Sequence, residues 1–423
     1  MSALARLLNF QGAEIIGSDS AESALTKTLV SEGITVIIGQ KEENLPSNTD
    51  CVIYSLAISK NNPEFIKAKE IGLPMFTYAQ MLGQVSAGIK TIAVAGTHGK
   101  TTTTAMLNSV MRGAGFNPSM IVGSILIEPK TNFIAGNRNN DKNSNFNEDI
   151  FIVEACEYGR SFLNLHPEIL IITNIEEDHL DYYKDLSDIK SAFMEMASRV
   201  ADSGKIICDT SDENLAEIVN KYPAKVVDYT KFLEEVPQLV VIGDHNRLNA
   251  AAALAAGSLF FENEDQSGGA KKSLARFRGT WRRLEFHEKN KNGALLYDDY
   301  AHHPSEIEAT LTALKKEFPD RKIIAFFQPH LYSRTKIFLN GFVKSLALAD
   351  EVFILPIYAA REPNDPEISS QILVDRISGA KLLKNFEEAS IEIEARGNGD
   401  LVVTLGAGDI ADVLITPSCF LLL

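Results

Sequence analysis

The sequence predicts an α/β chain built as three successive domains, each around a parallel sheet. Short apolar, β-rich runs alternate with helical patterns along the chain, as in strand–helix–strand crossovers. The alternation restarts twice, dividing the chain into 1–89, 90–285 and 286–423. The length of 423 residues fits about three domains of ordinary size.

In the first segment, the runs at 13–16, 35–38 and 51–54 read as strands, and 2–8, 21–32 and 63–71 as helices. The second opens with a strand at 91–95 and continues with strands at 150–153, 169–173 and 205–208. Its alanine run at 250–256 reads as the start of a helix with Asp244 or Asn246 as N-cap. An Asn/Asp-rich stretch at 137–148 reads as an exposed loop. The third segment places strands at 295–297, 322–327, 351–355 and 401–405. Glycine, arginine and lysine are dense around 278–293, which reads as the hinge before it.

Composition narrows the class. With 45% hydrophobic and 23% charged residues, the chain reads as soluble and globular. A net charge of −15 argues against nucleic-acid binding. It leaves room for a polyanionic substrate gathered by local basic residues and Mg²⁺. Cys51, Cys156, Cys208 and Cys419 form no CxxC pair, so reduced thiols and a cytoplasmic enzyme are expected. No apolar run approaches the roughly 18 residues of a membrane span. The N-terminus lacks a signal-peptide pattern, and the apolar tail at 419–423 is too short to anchor.

The strongest motif runs from Ala95 through Gly96, Thr97, His98, Gly99, Lys100, Thr101 and Thr102. An apolar strand enters a Gly-bearing turn and then a helix at 101–110. Such a turn points backbone N–H groups, and the positive end of the helix, at phosphate oxygens. Lys100 can reach β/γ-phosphates, and Thr101 can present its hydroxyl to Mg²⁺. The generic pattern asks for glycine where Val94 stands, so this loop is a shortened variant. Glu154 ends one strand, and Asp178 and His179 follow another. In open α/β sheets ligands gather at such carboxyl ends. A carboxylate and an imidazole there could hold a second Mg²⁺, although histidine in this place also serves as a helix cap or core-edge hydrogen-bonder.

Taken together, the loop 95–102, Glu154, Thr173-Asn174-Ile175 with Asp178-His179, and His245-Asn246 with Asn249-Ala250-Ala251 resemble the Mur ligases. The segments 298–304 and 327–335 resemble the alanine-adding branch of that family. The resemblance implies an N-terminal Rossmann-like domain for a UDP-sugar, a central P-loop ATPase domain and a C-terminal Rossmann-like domain for an amino acid. It implies that ATP phosphorylates the carboxylate of UDP-N-acetylmuramate and that L-alanine attacks the acyl phosphate. Carried over by position, Gly96 to Thr102 cradle the nucleotide, and Thr101, Glu154 and His179 hold metal. His245, Asn246 and Asn249 lie on the adenine side, and Asp299 meets the ribose. His302, His330 and Arg334 lie near substrate carboxylates, with His330 a conceivable base. Arg282 and Arg283 resemble a family arginine pair; a solvated basic linker is the alternative.

The resemblance also implies a strand and Gly-rich loop before residue 1, which this sequence lacks, so a misassigned start or a weakened UDP site is expected. Ser18 and Asp19 stand where a strand-end acid could meet a ribose hydroxyl, or form a turn with a helix cap. Met194 occupies the place of a lysine that several relatives carry as a carbamate; the alanine-adding branch is expected to lack it. Leu331 stands where many of that branch have arginine. Two other functions stay open: a ligase that reattaches a recycled murein tripeptide to UDP-N-acetylmuramate, and a nucleotide-binding relative impaired in catalysis.

Overall fold

The computed structural model describes residues 1–136, 149–360 and 362–415, so the expected loop at 137–148 and the tail at 419–423 lie outside the described residues. The chain forms two compact units, one of residues 1–237 and 249–274, the other of 238–248 and 275 onward. It passes between them three times: after Pro237, inside the helix Asp244–Ser258, and after Leu274.

The first unit is organised by a seven-stranded sheet. Its order is Val226–Asp228, Lys205–Cys208, Ile169–Ile172, Lys90–Ala95, Ile150–Glu154, Ser119–Ile121 and Phe133–Ile134. All neighbours are parallel except the last pair. The strand Lys90–Ala95 is central and buried from Thr91 onward, which is why its sequence reads as a continuous apolar run. The strands expected at 91–95, 150–153, 169–173 and 205–208 are present with bounds shifted by at most one residue. The three missed strands, Ser119–Ile121, Phe133–Ile134 and Val226–Asp228, are two or three residues long, too short to carry a period.

The helix Ser2–Phe10 sinks Ala3, Leu4 and Leu7 into the core under this sheet, beside Ala93, Phe151, Val153 and Leu170. Burying each leucine contributes about 1.5–3 kcal/mol. Arg6 on the same helix donates to both carboxylate oxygens of Glu32, at 2.6 and 3.0 Å, and to Asn132 Oδ1 at 2.5 Å. The N-terminal strands form two separate parallel pairs, Ile16–Asp19 with Thr35–Ile38 and Val52–Tyr54 with Met75–Thr77. The first strand therefore lies at 16–19, not 13–16. Gly12, at φ 100°, ends the preceding helix, and pairing begins only where Ile16 meets Thr35.

The second unit holds a six-stranded sheet ordered Glu285–Lys289, Leu295–Asp299, Asp400–Leu405, Lys322–Phe327, Glu351–Ile354 and Lys381–Leu382. Only the first strand is antiparallel. The expected hinge at 278–293 thus contains an edge strand, and its charged, half-exposed composition is that of a protected sheet edge. The helix Asp244–Ser258 begins at Asp244, so Asp244 and Asn246 sit inside its first turn rather than capping it. Asn246 Nδ2 donates to the Ile242 carbonyl at 2.7 Å. No described helix is long and apolar enough to cross a membrane.

Candidate active site

The strand Lys90–Ala95 runs into the turn at 96–99 and then the helix Lys100–Gly113. Gly96 and Gly99 adopt φ of 134° and 81°, which side chains oppose. A Cβ on Gly99 would press to 2.5 Å from Asn249 Oδ1. The turn is braced by the next strand end. Thr97 N donates to the Asn174 carbonyl at 3.0 Å and His98 N to Asn174 Oδ1 at 2.9 Å. Thr173 Oγ1 donates to the His98 carbonyl at 2.5 Å, and Thr97 Oγ1 accepts from Glu176 N at 2.8 Å. Two loop N–H groups are therefore committed to the protein. The donors suited to an anion are those of Lys100, Thr101 and Thr102, the orphan first turn of the helix.

Lys100 Nζ donates to the carbonyls of Gly96 at 2.6 Å and Thr97 at 2.9 Å, and to Glu157 Oε1 at 3.0 Å. Burial opposes charge on both partners, yet their mutual attraction outweighs it. The Lys100 ammonium is held above its ordinary range and the Glu157 carboxylate below its own. Sequence reasoning missed Glu157; its one signal was an acid three residues beyond Glu154.

Thr101 Oγ1 donates to Glu154 at 3.0 Å, and Gly123 N donates to the other Glu154 oxygen at 2.6 Å. A hydroxyl and a carboxylate beside a helix start form a hard-oxygen donor set suited to Mg²⁺. His179 has φ of 54°, a strained conformation that surrounding contacts must hold. Its Nε2 lies 3.5 Å from Glu157 Oε1 and 3.7 Å from Asp178 Oδ2, and its ring meets Tyr158 edge-on at 5.0 Å. The loop, Glu154, Glu157 and His179 are thus brought together within one unit. At the end of an N-terminal strand, Ser18 Oγ donates to Glu64 at 2.6 Å, while Asp19 accepts from Ala21 N at 3.3 Å.

The second unit assembles another polar set. Asp299, buried at the end of Leu295–Asp299, accepts from Ala301 N at 2.9 Å and Thr310 Oγ1 at 2.8 Å. Burial pushes its carboxyl up to about 6, against the pull of nearby Arg283. His302 Nδ1 donates to the Tyr300 carbonyl at 2.9 Å, since a carbonyl only accepts. His330 Nδ1 accepts from Arg334 at 3.4 Å, since a guanidinium only donates; the ring hydrogen then sits on Nε2 when His330 is neutral. The His302 and His330 rings stand 5.9 Å apart, and Tyr358 stacks on His330 at 5.7 Å. Leu331, at φ 69°, turns the chain between His330 and the helix carrying Arg334. Burial pushes His245 below its ordinary range. Arg283 lies 5.0 Å over the Tyr300 ring, and Arg282 is buried in an ion pair with Asp298. The linker alternative therefore fails for Arg282.

Family models match in chain order: "Mur ligase family, catalytic domain" over 1–90, "Mur ligase middle domain" over 94–236 and "Mur ligase, glutamate ligase domain" over 282–408. The UDP-N-acetylmuramate–L-alanine ligase of Agathobacter rectalis is 40% identical, over 98% of this chain and 94% of its own length. That of Alkaliphilus metalliredigens is 41% identical, over 97% and 93%. The crystal structure of UDP-N-acetylmuramate–alanine ligase from Thermotoga maritima superposes with a TM-score of 0.77 at 25% identity, covering 98% of this chain and 94% of that one. A murein peptide ligase from Psychrobacter arcticus shares the fold at a TM-score of 0.67 and 22% identity, over 98% and 94%. With matches along its N-terminal, central and C-terminal parts, the chain belongs to the Mur ligase family.

Proposed function

We propose that this chain is an ATP-dependent ligase that joins L-alanine to the carboxylate of UDP-N-acetylmuramate, in the synthesis of peptidoglycan precursors. The observation that carries this reading is identity of about 40% over nearly the whole chain to ligases of that name. This reading places the enzyme in the cytoplasm.

Phosphoryl transfer asks the protein for position and charge neutralisation more than for covalent chemistry. In this reading Gly96, Thr97, His98, Gly99 and Thr102 shape the nucleotide loop, and Lys100 meets the terminal phosphates. Thr101, Glu154 and His179 would hold Mg²⁺, which would supply neutralisation of the phosphate charge. His245, Asn246 and Asn249 serve the adenine side, and Asp299 accepts from the ribose. Ser18 and Asp19 meet the UDP-sugar. Arg334 pairs with the carboxylate of the incoming amino acid, and His330, with hydrogen on Nε2, serves as a donor beside it. His302, protonated on Nδ1, keeps a basic Nε2 and is better suited than His330 to take the amine proton.

The test is ADP release with UDP-N-acetylmuramate and either L-alanine or the murein tripeptide as acceptor. Turnover with L-alanine is expected. Turnover only with the tripeptide would replace this reading by the recycling ligase, and none with either would replace it by the impaired relative.

A further inference from the structure

Glu157 is the most buried acidic side chain among the described residues of the first unit, at 2% exposure. Its backbone is pinned: its carbonyl accepts from Tyr183 Oη at 2.5 Å and from Arg160 N at 2.9 Å. One carboxylate oxygen, Oε1, serves both Lys100 at 3.0 Å and His179 at 3.5 Å. The other, Oε2, is buried with no hydrogen-bond partner among the described residues. A carboxylate in that state is costly to bury and is retained only where something compensates it.

Lys100 stands on the other side of the pair. An ammonium has three donors, and all three are taken, by Gly96 O, Thr97 O and Glu157 Oε1. Lys100 cannot receive a phosphate oxygen until one acceptor leaves. Two of the three are carbonyls of the loop itself; Glu157 supplies the anionic one. The carboxylate thus occupies the electrostatic place that a terminal phosphate would take. Losing Lys100 would leave Glu157 buried without its counter-charge, with the Nε2 of His179 as the neighbour able to answer it.

We infer that Glu157 is a positioning residue that competes with the nucleotide's terminal phosphates for Lys100 and is handed to His179 when nucleotide binds. This rests on the reading of the loop as the nucleotide site. It gives the loop lysine a charged partner before nucleotide binds and makes nucleotide entry reorganise His179. A merely structural Glu157 would do neither.

The test is titration of the full chain with a fluorescent ADP analogue in EDTA, alongside turnover with Mg²⁺. Glu157→Gln is expected to bind ADP about tenfold tighter, because a neutral amide competes less for Lys100 than a carboxylate does, while kcat falls about tenfold as His179 loses its anionic partner. Affinity and turnover move in opposite senses, which loss of structure would not produce. Equal or weaker ADP binding by a folded Glu157→Gln protein would overturn the inference. Should that variant not fold, Lys100→Met and Lys100→Met/Glu157→Gln decide by thermal melting. The single variant, with a stranded carboxylate, is expected to melt lower than the double, and equal melting would overturn the pairing. If the wild-type chain itself fails to bind ADP, the nucleotide-site reading falls first.

Discussion

Arg282 and Asp298 form a buried ion pair, with Nε 2.7 Å from Oδ2 and both side chains almost wholly withdrawn from solvent. The guanidinium also donates to the carbonyls of Gly406 and Gly408, each at 2.6 Å, and Thr404 donates to Asp298 at 2.5 Å. The pair therefore ties the start of the second unit's sheet to the turn after its strand Asp400–Leu405. Arg282→Ala strands the Asp298 charge and is expected to cost about 3–5 kcal/mol. Urea unfolding monitored in the second unit checks this; a loss below about 1 kcal/mol would show that solvent reaches Asp298.

Gly96 approaches Thr173 so closely that a Cβ would overlap its hydroxyl and lie 3.0 Å from its backbone N. Gly96→Ala is expected to open the brace on the loop, at a cost on the order of 2 kcal/mol or more. ADP binding should weaken at least about tenfold. Calorimetric titration measures it directly, and wild-type affinity would remove the strained turn from nucleotide recognition.

Glu154 accepts from Thr101 Oγ1 and Gly123 N. Removing the carboxylate should raise the Mg²⁺ needed for half-maximal turnover about tenfold or more. An unchanged Mg²⁺ titration of Glu154→Ala would take that side chain out of the metal set.

Asp299 supplies a pH signature. Its folded value of about 6 lies above the ordinary 3.8, so the folded chain holds the proton more tightly than the unfolded one. Its contribution to stability is greatest below the ordinary value, is lost as pH rises through about 6, and then levels off. Asp299→Asn cannot ionise. It should match wild type in stability at acid pH and exceed it near neutrality, by at most about 3 kcal/mol. It should also bind nucleotide more weakly for want of a charged acceptor. A stability difference independent of pH would mean that burial does not perturb this carboxyl.

The N-terminal layer should open first. Its strands are three or four residues long, and Ile16, Val30, Ile38, Leu56 and Ile71 are exposed. Residues 92–95 of the central strand are wholly buried. Native-state hydrogen exchange is expected to be at least about a hundredfold faster at 16–19 and 35–38 than at 92–95. Equal protection would show that the layer unfolds only with the whole unit.

What the sequence alone determined was local. The strands Thr35–Ile38, Lys205–Cys208 and Lys322–Phe327 were legible to the residue, because each is a compact β-rich or apolar run. The strand, glycine turn and helix at 90–113 were legible because the glycines and Lys100 are contiguous in the chain. Short strands such as Met75–Thr77 and Ser119–Ile121 were not, since three residues of mixed polarity carry no period. The edge strand Glu285–Lys289 read as a hinge because its charges face outward, and the burial of Arg282 depends on Asp298, sixteen residues away. Glu157 was invisible for the same reason. Its meaning lies in a lysine fifty-seven residues before it and a histidine twenty-two residues after it. Propensity and turn chemistry act between chain neighbours and can be read in order. Desolvation and charge pairing act through space, and only the packed tertiary structure decided which acid would lose its water and which lysine would answer it.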